Sequence, residues 1–342
     1  MKTKILSIAV LFFIILVSCE TEGDNIVLEQ SLNKEIPTKG PIYMDLENAS
    51  WSFSDSDSGQ EMLKSKAGKS ENREVVLYSV EYFTGENSEE VGNIIFFNNL
   101  GNPRKNQNMR SDFVADSPYL VIPDDVNPCG IYTDKTNDIS YYVDEGRPSE
   151  DLGVGLSTAA IDASMTTWDN VNCSDLGVFK RDYDSSILTG AAAGTAHPIC
   201  DWAADVVHAG WMGPGFFDYY SGDGKGGSYI LGATFTYIVV IDGIPSDDDN
   251  NGKYDVWFRE IYYNDNFKWS DDGSAIDIET VALHESGHGL SQVHFGKGFR
   301  NKGGVHFAPR AVMNNSYSGI QTSIRGTDKV SHCANWEEWP SN

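Results

Sequence analysis

The stretch His284-Glu285-Ser286-Gly287-His288-Gly289-Leu290-Ser291-Gln292-Val293-His294 constrains the chain more than any other feature of its 342 residues. In a helix, positions i and i+4 share a face, so His284 and His288 aim two imidazoles at one point. Glu285 sits one residue round, within reach of a water held at that point without crowding it. His294 is out of register with that face. It can join the pair only if the helix breaks near Ser291 and the chain swings back. Gly287 and Gly289 each cost a helix about 1 kcal/mol against Ala, a cost that close packing at a site would offset. Three imidazoles leave the fourth position of a tetrahedral ion open, which distinguishes a catalytic zinc site from a closed structural one. The expectation is Zn2+ at His284, His288 and His294, with Glu285 as general base.

Composition narrows the partners. Lys and Arg number 25 against 50 Asp and Glu, a formal charge of −25. Nucleic-acid binding needs a basic footprint, so that class is excluded. At 40% hydrophobic and 22% charged residues the chain has material for a packed core. Lys2 and Lys4 precede an apolar run from Ile5 to Val17, the length of a signal-peptide core and too short to span a membrane. It ends in Leu16-Val17-Ser18-Cys19, which resembles the bacterial lipobox, in which the Cys becomes the lipid-modified first residue. Residues 1–18 are therefore read as a lipoprotein signal peptide, Cys19 as the lipidation site and 19–40 as a tether. An exported chain follows, membrane-anchored at the outer membrane or cell surface, or else secreted. The remaining Cys129, Cys173, Cys200 and Cys333 suggest two disulfides in that compartment. Loop proximity favours Cys173–Cys200 and Cys129–Cys333.

Along the chain, Glu74–Phe83 and Val91–Asn98 flank a Gly-Glu-Asn-Ser turn and read as a hairpin. They lie in a β-rich region, 41–125, that is either a small domain or a propeptide. From 126 to 342 the pattern changes. Ile139–Val143, Leu176–Phe179, Ala204–Trp211, Tyr229–Ile241 and Val256–Tyr263 read as strands, and Leu156–Val171 as a helix capped by Ser157 or Thr158. Ile276–Leu290 reads as the helix carrying the histidines. The fold class is α+β, a twisted mixed five-stranded sheet backed by helices.

The HExxH pair with a third His at this distance resembles the metzincin clan of zinc proteases, and the details resemble matrixins. Ala311-Val312-Met313-Asn314 is similar to the family's Met-turn, whose Met lies beneath the zinc. The likeness covers about residues 137–342. It implies a zinc endopeptidase with a C-terminal helix, acting as a monomer on extracellular proteins or peptides. It further implies a substrate lying antiparallel to an edge strand, for which Tyr229–Ile241 is the candidate, with specificity pockets between Phe295 and Tyr317. Pro128-Cys129-Gly130 faintly resembles the matrixin cysteine switch, a rival to pairing at Cys129. Departures exist: the family's helix-breaking Gly is Ser291, Asn315 stands where some metzincins place a Tyr ligand, and Tyr317 should not inherit that role. His197, His208, His306 and His332 match no structural-zinc pattern and read as core or loop residues. The alternative function is a catalytically weak surface adhesion or binding lipoprotein retaining the zinc fold.

One acidic loop stands out. Asp247, Asp249 and Asn251 supply oxygens at positions one, three and five of a calcium-like loop, with Gly252 at six and Asp255 at nine. The usual Glu at twelve is absent. The expectation is Ca2+ at Asp247, Asp249, Asn251 and Asp255, the alternative being a solvated acidic turn. Gly222–Gly227 lacks the Gly-Lys-Ser/Thr ending of a phosphate loop and reads as a flexible turn.

Overall fold

The computed structural model describes residues 34–37, 39–46, 49–52, 73–86, 88–97, 113–115, 138–247, 252–302, 304–337 and 339. The expectations for the signal peptide, Cys19 and Cys129 fall outside them. Strands β1 (Lys34–Glu35), β2 (Ile42–Met44), β3 (Ser50–Ser52), β4 (Arg73–Thr84), β5 (Asn93–Phe97) and β6 (Phe113–Ala115) come first. Then follow β7 (Ile139–Val143), helix α1 (Gly153–Asp169), β8 (Val178–Lys180), β9 (Val206–Met212) and α2 (Pro214–Tyr220). The long strands β10 (Ile230–Ile241) and β12 (Tyr254–Asn264) are separated by β11 (Ile244–Pro245), and β13 (Trp269–Ser270) and β14 (Ile276–Asp277) lead to α3 (Ile278–Gly289). The chain closes with β15 (Lys297–Asn301), β16 (Gly304–Ala308) and α4 (Gly326–Trp336). The architecture is mixed α+β.

The main sheet runs β2-β5-β4-β10-β12-β9-β7-β8, with β3, β6 and β11 attached, eleven strands among the described residues. Five strands were expected. Of the six further strands, β2 to β5 lie within residues 42–97 and extend the same sheet, and the short β6 and β11 add to β12 and β10. β4 pairs antiparallel with β10 along nearly its whole length, Glu74 opposite Val240 through Thr84 opposite Ile230. β12 flanks β10 on the other side. Tyr229–Ile241 is therefore an interior strand and not the expected edge, so its main-chain groups are already paired.

Burial on both faces explains the near-continuous apolar strands. On β12, Ile261 and Tyr263 face the helices with Trp168, Leu283 and Met313, while Tyr262 faces the opposite core with Phe217 and Phe235. α1 packs against α3 through small residues: Ser164 and Ser286 hydroxyls meet at 2.9 Å, and Trp168 Nε1 donates to the Leu283 carbonyl. The expected Ser157 or Thr158 cap is corrected. α1 begins at Gly153, because a positive φ there turns the chain, and Leu152 occupies the N-cap without a side-chain bond.

The disulfide pairing is also corrected. Cys173 bonds Cys333, 160 residues away, with 5.6 Å between Cα atoms. α4 packs back onto the loop after α1, bringing both cysteines against the helix-side core. Cys200 is disulfide-bonded as well.

Candidate metal centre

α3 begins where the Asp277 carboxylate accepts from the Thr280 N–H at 2.8 Å, satisfying a first-turn donor. About two turns later His284 and His288 emerge on one face. His284 Nε2 and His288 Nε2 lie 3.1 Å apart, and His294 Nε2 lies 3.0 and 3.1 Å from them. Three imidazole nitrogens cannot all donate to one another at such distances. A tetrahedral ion with Zn–N bonds of about 2.0–2.1 Å would hold them about 3.3 Å apart. Among the described residues this triad is the one group of His, Cys, Asp or Glu side chains gathered closely enough for an ion.

The far sides of the rings fix the tautomers. His284 Nδ1 stands 2.7 Å from the Val312 carbonyl, and His288 Nδ1 2.7 Å from the Gln292 carbonyl. A carbonyl only accepts, so both Nδ1 atoms carry the proton and both Nε2 lone pairs are left for a ligand. Burial holds all three imidazoles neutral, lowering His288 to about 3 and His284 and His294 well below the usual range. His284 and His288 are fully buried and His294 half-buried, so the centre opens on the His294 side.

Glu285 is fully buried. Its Oε2 accepts from the Thr234 hydroxyl at 2.7 Å, while its Oε1 has no partner among the described residues. Burial pushes its pKa well above the carboxylate range, the Thr234 bond opposes this, and Glu81 adds to the rise. Gly232 on β10 is what admits the side chain: a Cβ there would stand 2.9 Å from Glu285 Cγ and Oε1.

The helix breaks where expected. α3 ends at Gly289, and Ser291 takes a left-handed φ of 65°. Phe295 N–H then bonds the Met313 carbonyl, carrying His294 back under the helix. Met313 is fully buried beneath α3. Its turn is pinned by Asp328 of α4, which accepts from the Val312 and Met313 N–H groups at 3.1 and 3.2 Å. Gly287 is the contact point: a Cβ there would meet Met313 Sδ at 2.4 Å and Trp168 Cζ2 at 2.9 Å. Gly287→Ala should therefore lower stability by about 1–2 kcal/mol, overpacking outweighing its helix propensity. Denaturant melts of the two proteins check this.

Three contributors were invisible in the sequence because they arrive from distant strands. Phe83 of β4 stacks on His284 with ring centroids 3.9 Å apart, Glu81 Oε1 stands 3.5 Å from His288 Nδ1, and Thr234 orients Glu285. The loop after Met313 also engages the N-terminal hairpin, Tyr317 N–H bonding the Thr84 carbonyl and Gly92 N–H that of Asn315.

The other candidates separate from this centre. Tyr317 accepts from the Asp277 N–H at 3.3 Å, at the opposite end of α3 from His288. His208 bonds the Tyr263 hydroxyl, His332 stacks on Trp168, His306 faces Asn301, and His197 accepts from two backbone N–H groups. In the acidic loop, Asp249 and Asn251 lie outside the described residues. Asp247 accepts from the Gly252 N–H at 3.1 Å, and the buried Asp255 carboxylate is held by the Ser246 hydroxyl. Among the described residues no helix is long and apolar enough to cross a membrane. Comparison with protein-family models and with curated proteins finds no match for this chain.

Proposed function

We propose that the chain is a zinc-dependent endopeptidase of metzincin-like, matrixin-like fold, exported and anchored through lipid at Cys19. One observation carries the reading: three Nε2 atoms converge within 3.1 Å, two with their tautomer fixed by carbonyls, beside a buried carboxylate oxygen with no partner. Strands β7, β8, β9, β10 and β12 with α1, α3 and α4 support the fold assignment. Zinc held by His284, His288 and His294 would supply a Lewis acid for the scissile carbonyl and would bring the pKa of water down to about 7. Glu285 Oε1 takes the proton of the attacking water and passes it to the leaving amine. Thr234 keeps Oε2 occupied, so the free oxygen is the one that moves the proton. Phe83 closes the centre over His284, and the substrate carbonyl approaches on the His294 side.

A second reading has its own support. With β10 paired on both sides, a peptide cannot add to it as an edge strand. A zinc-fold binding or adhesion lipoprotein without useful turnover needs no such edge. Peptide hydrolysis by the zinc-loaded chain, measured beside Glu285→Gln, separates the two: an enzyme loses cleavage in the variant, and a binder shows none in either.

A further inference from the structure

Ser291 is the anomaly of the centre. It is a non-glycine residue at φ 65°, at the bend on which delivery of His294 depends. A left-handed residue with a Cβ is strained, so something must hold it. Arg259 of β12 does. Its side chain is buried, with Nη2 donating to Ser291 Oγ at 3.0 Å, Nη1 to the Gly289 carbonyl at 3.0 Å, and Nε towards Thr236 Oγ1 at 3.3 Å. Two groups of α4 secure the other side of the bend: Asn335 Nδ2 donates to the Ser291 carbonyl and Trp336 Nε1 to that of Leu290.

A buried guanidinium is costly without a counter-charge. The register supplies one. Arg259 lies opposite Thr236 and Glu81 opposite Thr234, so both project from the same face of the sheet, towards α3. Glu81 reaches His288 Nδ1 at 3.5 Å, and Arg259 reaches the carbonyl of the next residue, Gly289. Burial pulls the Arg259 pKa down to about 10, and the Glu81 carboxylate works against that fall.

We propose that Arg259 is the positioning residue that sets the return of the chain from His288 to His294, with Glu81 of β4 as its counter-charge, which makes the N-terminal strand a permanent part of the metal centre. The proposal rests on the reading that the three histidines bind zinc. Arg259 touches no reacting atom. It holds the Ser291 hydroxyl and the last helical carbonyl, and so fixes where His294 lands.

The test is zinc affinity of the full-length chain, measured by competition with a chromophoric chelator, alongside the melting temperature of the metal-free protein. Arg259→Met should weaken zinc binding about 10- to 100-fold, the range for groups that orient metal ligands. Arg259→Lys, which keeps the charge but loses the fork, should fall the same way. Glu81→Gln should weaken binding about tenfold. Ser291→Gly should rescue: in the double variant with Arg259→Met, zinc affinity should return to within about threefold of the parent, because Gly adopts the bend without a brace. A purely structural Arg259 would lower the metal-free melting temperature and leave zinc affinity unchanged. Should Arg259→Met fail to fold, Arg259→Lys and the double variant decide by the same fold-changes. Zinc affinity within twofold of the parent in the folded single variants Arg259→Met and Arg259→Lys overturns the proposal while leaving the zinc reading standing. A parent chain that binds no zinc overturns both.

Discussion

Replacing Glu285 with Gln should lower peptide hydrolysis at least about a hundredfold, and up to about ten-thousandfold, while zinc content and fold stay intact. That range is what a positioned general base contributes. The variant is well suited to the site. Gln keeps an oxygen for the Thr234 hydroxyl, which Glu285 Oε2 now accepts at 2.7 Å. It also removes an ionisable group from a fully buried position where burial alone disfavours the charge. The metal-free variant should therefore be no less stable than the parent, and its loss of activity cannot be blamed on unfolding. Chelator titration and circular dichroism on the same samples establish both controls. Activity within threefold of the parent would remove Glu285 from the mechanism.

Removing the metal should have the largest effect on stability. A ligand that binds only the folded chain, at a thousandfold above its Kd, adds about 4 kcal/mol. For a chain of this size that corresponds to a fall in Tm on the order of 10 °C on chelation. The sign follows from the geometry: three neutral imidazoles, two of them with an Nε2 lone pair fixed by the carbonyl at Nδ1, meet at 3.0–3.1 Å without a hydrogen-bonding solution for all of them. An ion bound there would resolve that frustration. His288→Ala should melt at one temperature with or without chelator, whereas Glu285→Gln should keep the full shift. A parent chain indifferent to both chelator and added zinc would contradict the ligand assignment.

What the sequence shows and what it hides divides along the range of the interactions. The His284–His288 pair is legible because its geometry is local, one turn of α3, and the break near Ser291 follows from His294 being off that face. The helix start is missed by only two residues, since Asp277 is the cap and Ile276 belongs to a strand. The role of Tyr229–Ile241 is a different matter. Its composition identifies a long strand, but its neighbour β4 lies about 150 residues upstream, and no local pattern reports which strands pair. Phe83, Glu81 and Arg259 are hidden for the same reason: each reaches α3 from across the sheet. The disulfide fails through distance of the opposite kind. Cys173 and Cys200 are close in sequence, yet α4 returns Cys333 to Cys173.

The same sheet changes how residues 41–125 are understood. A removable propeptide would take with it Val75, Leu77, Val80 and Tyr82 from one core and Phe83 from the other. N-terminal sequencing of the purified active protein should therefore find β4 retained. Recovery of full activity only in material cleaved after residue 97 would contradict this.

The most direct test of zinc-dependent peptide hydrolysis is a peptide-library digest with the full-length chain, because a fragment beginning at 126 would strip β4 from the sheet. The zinc-loaded chain should cleave peptides, stop on chelation, and resume when zinc is restored, with the zinc-loaded Glu285→Gln chain silent throughout. A folded chain carrying one zinc that cleaves nothing in the library would contradict the account.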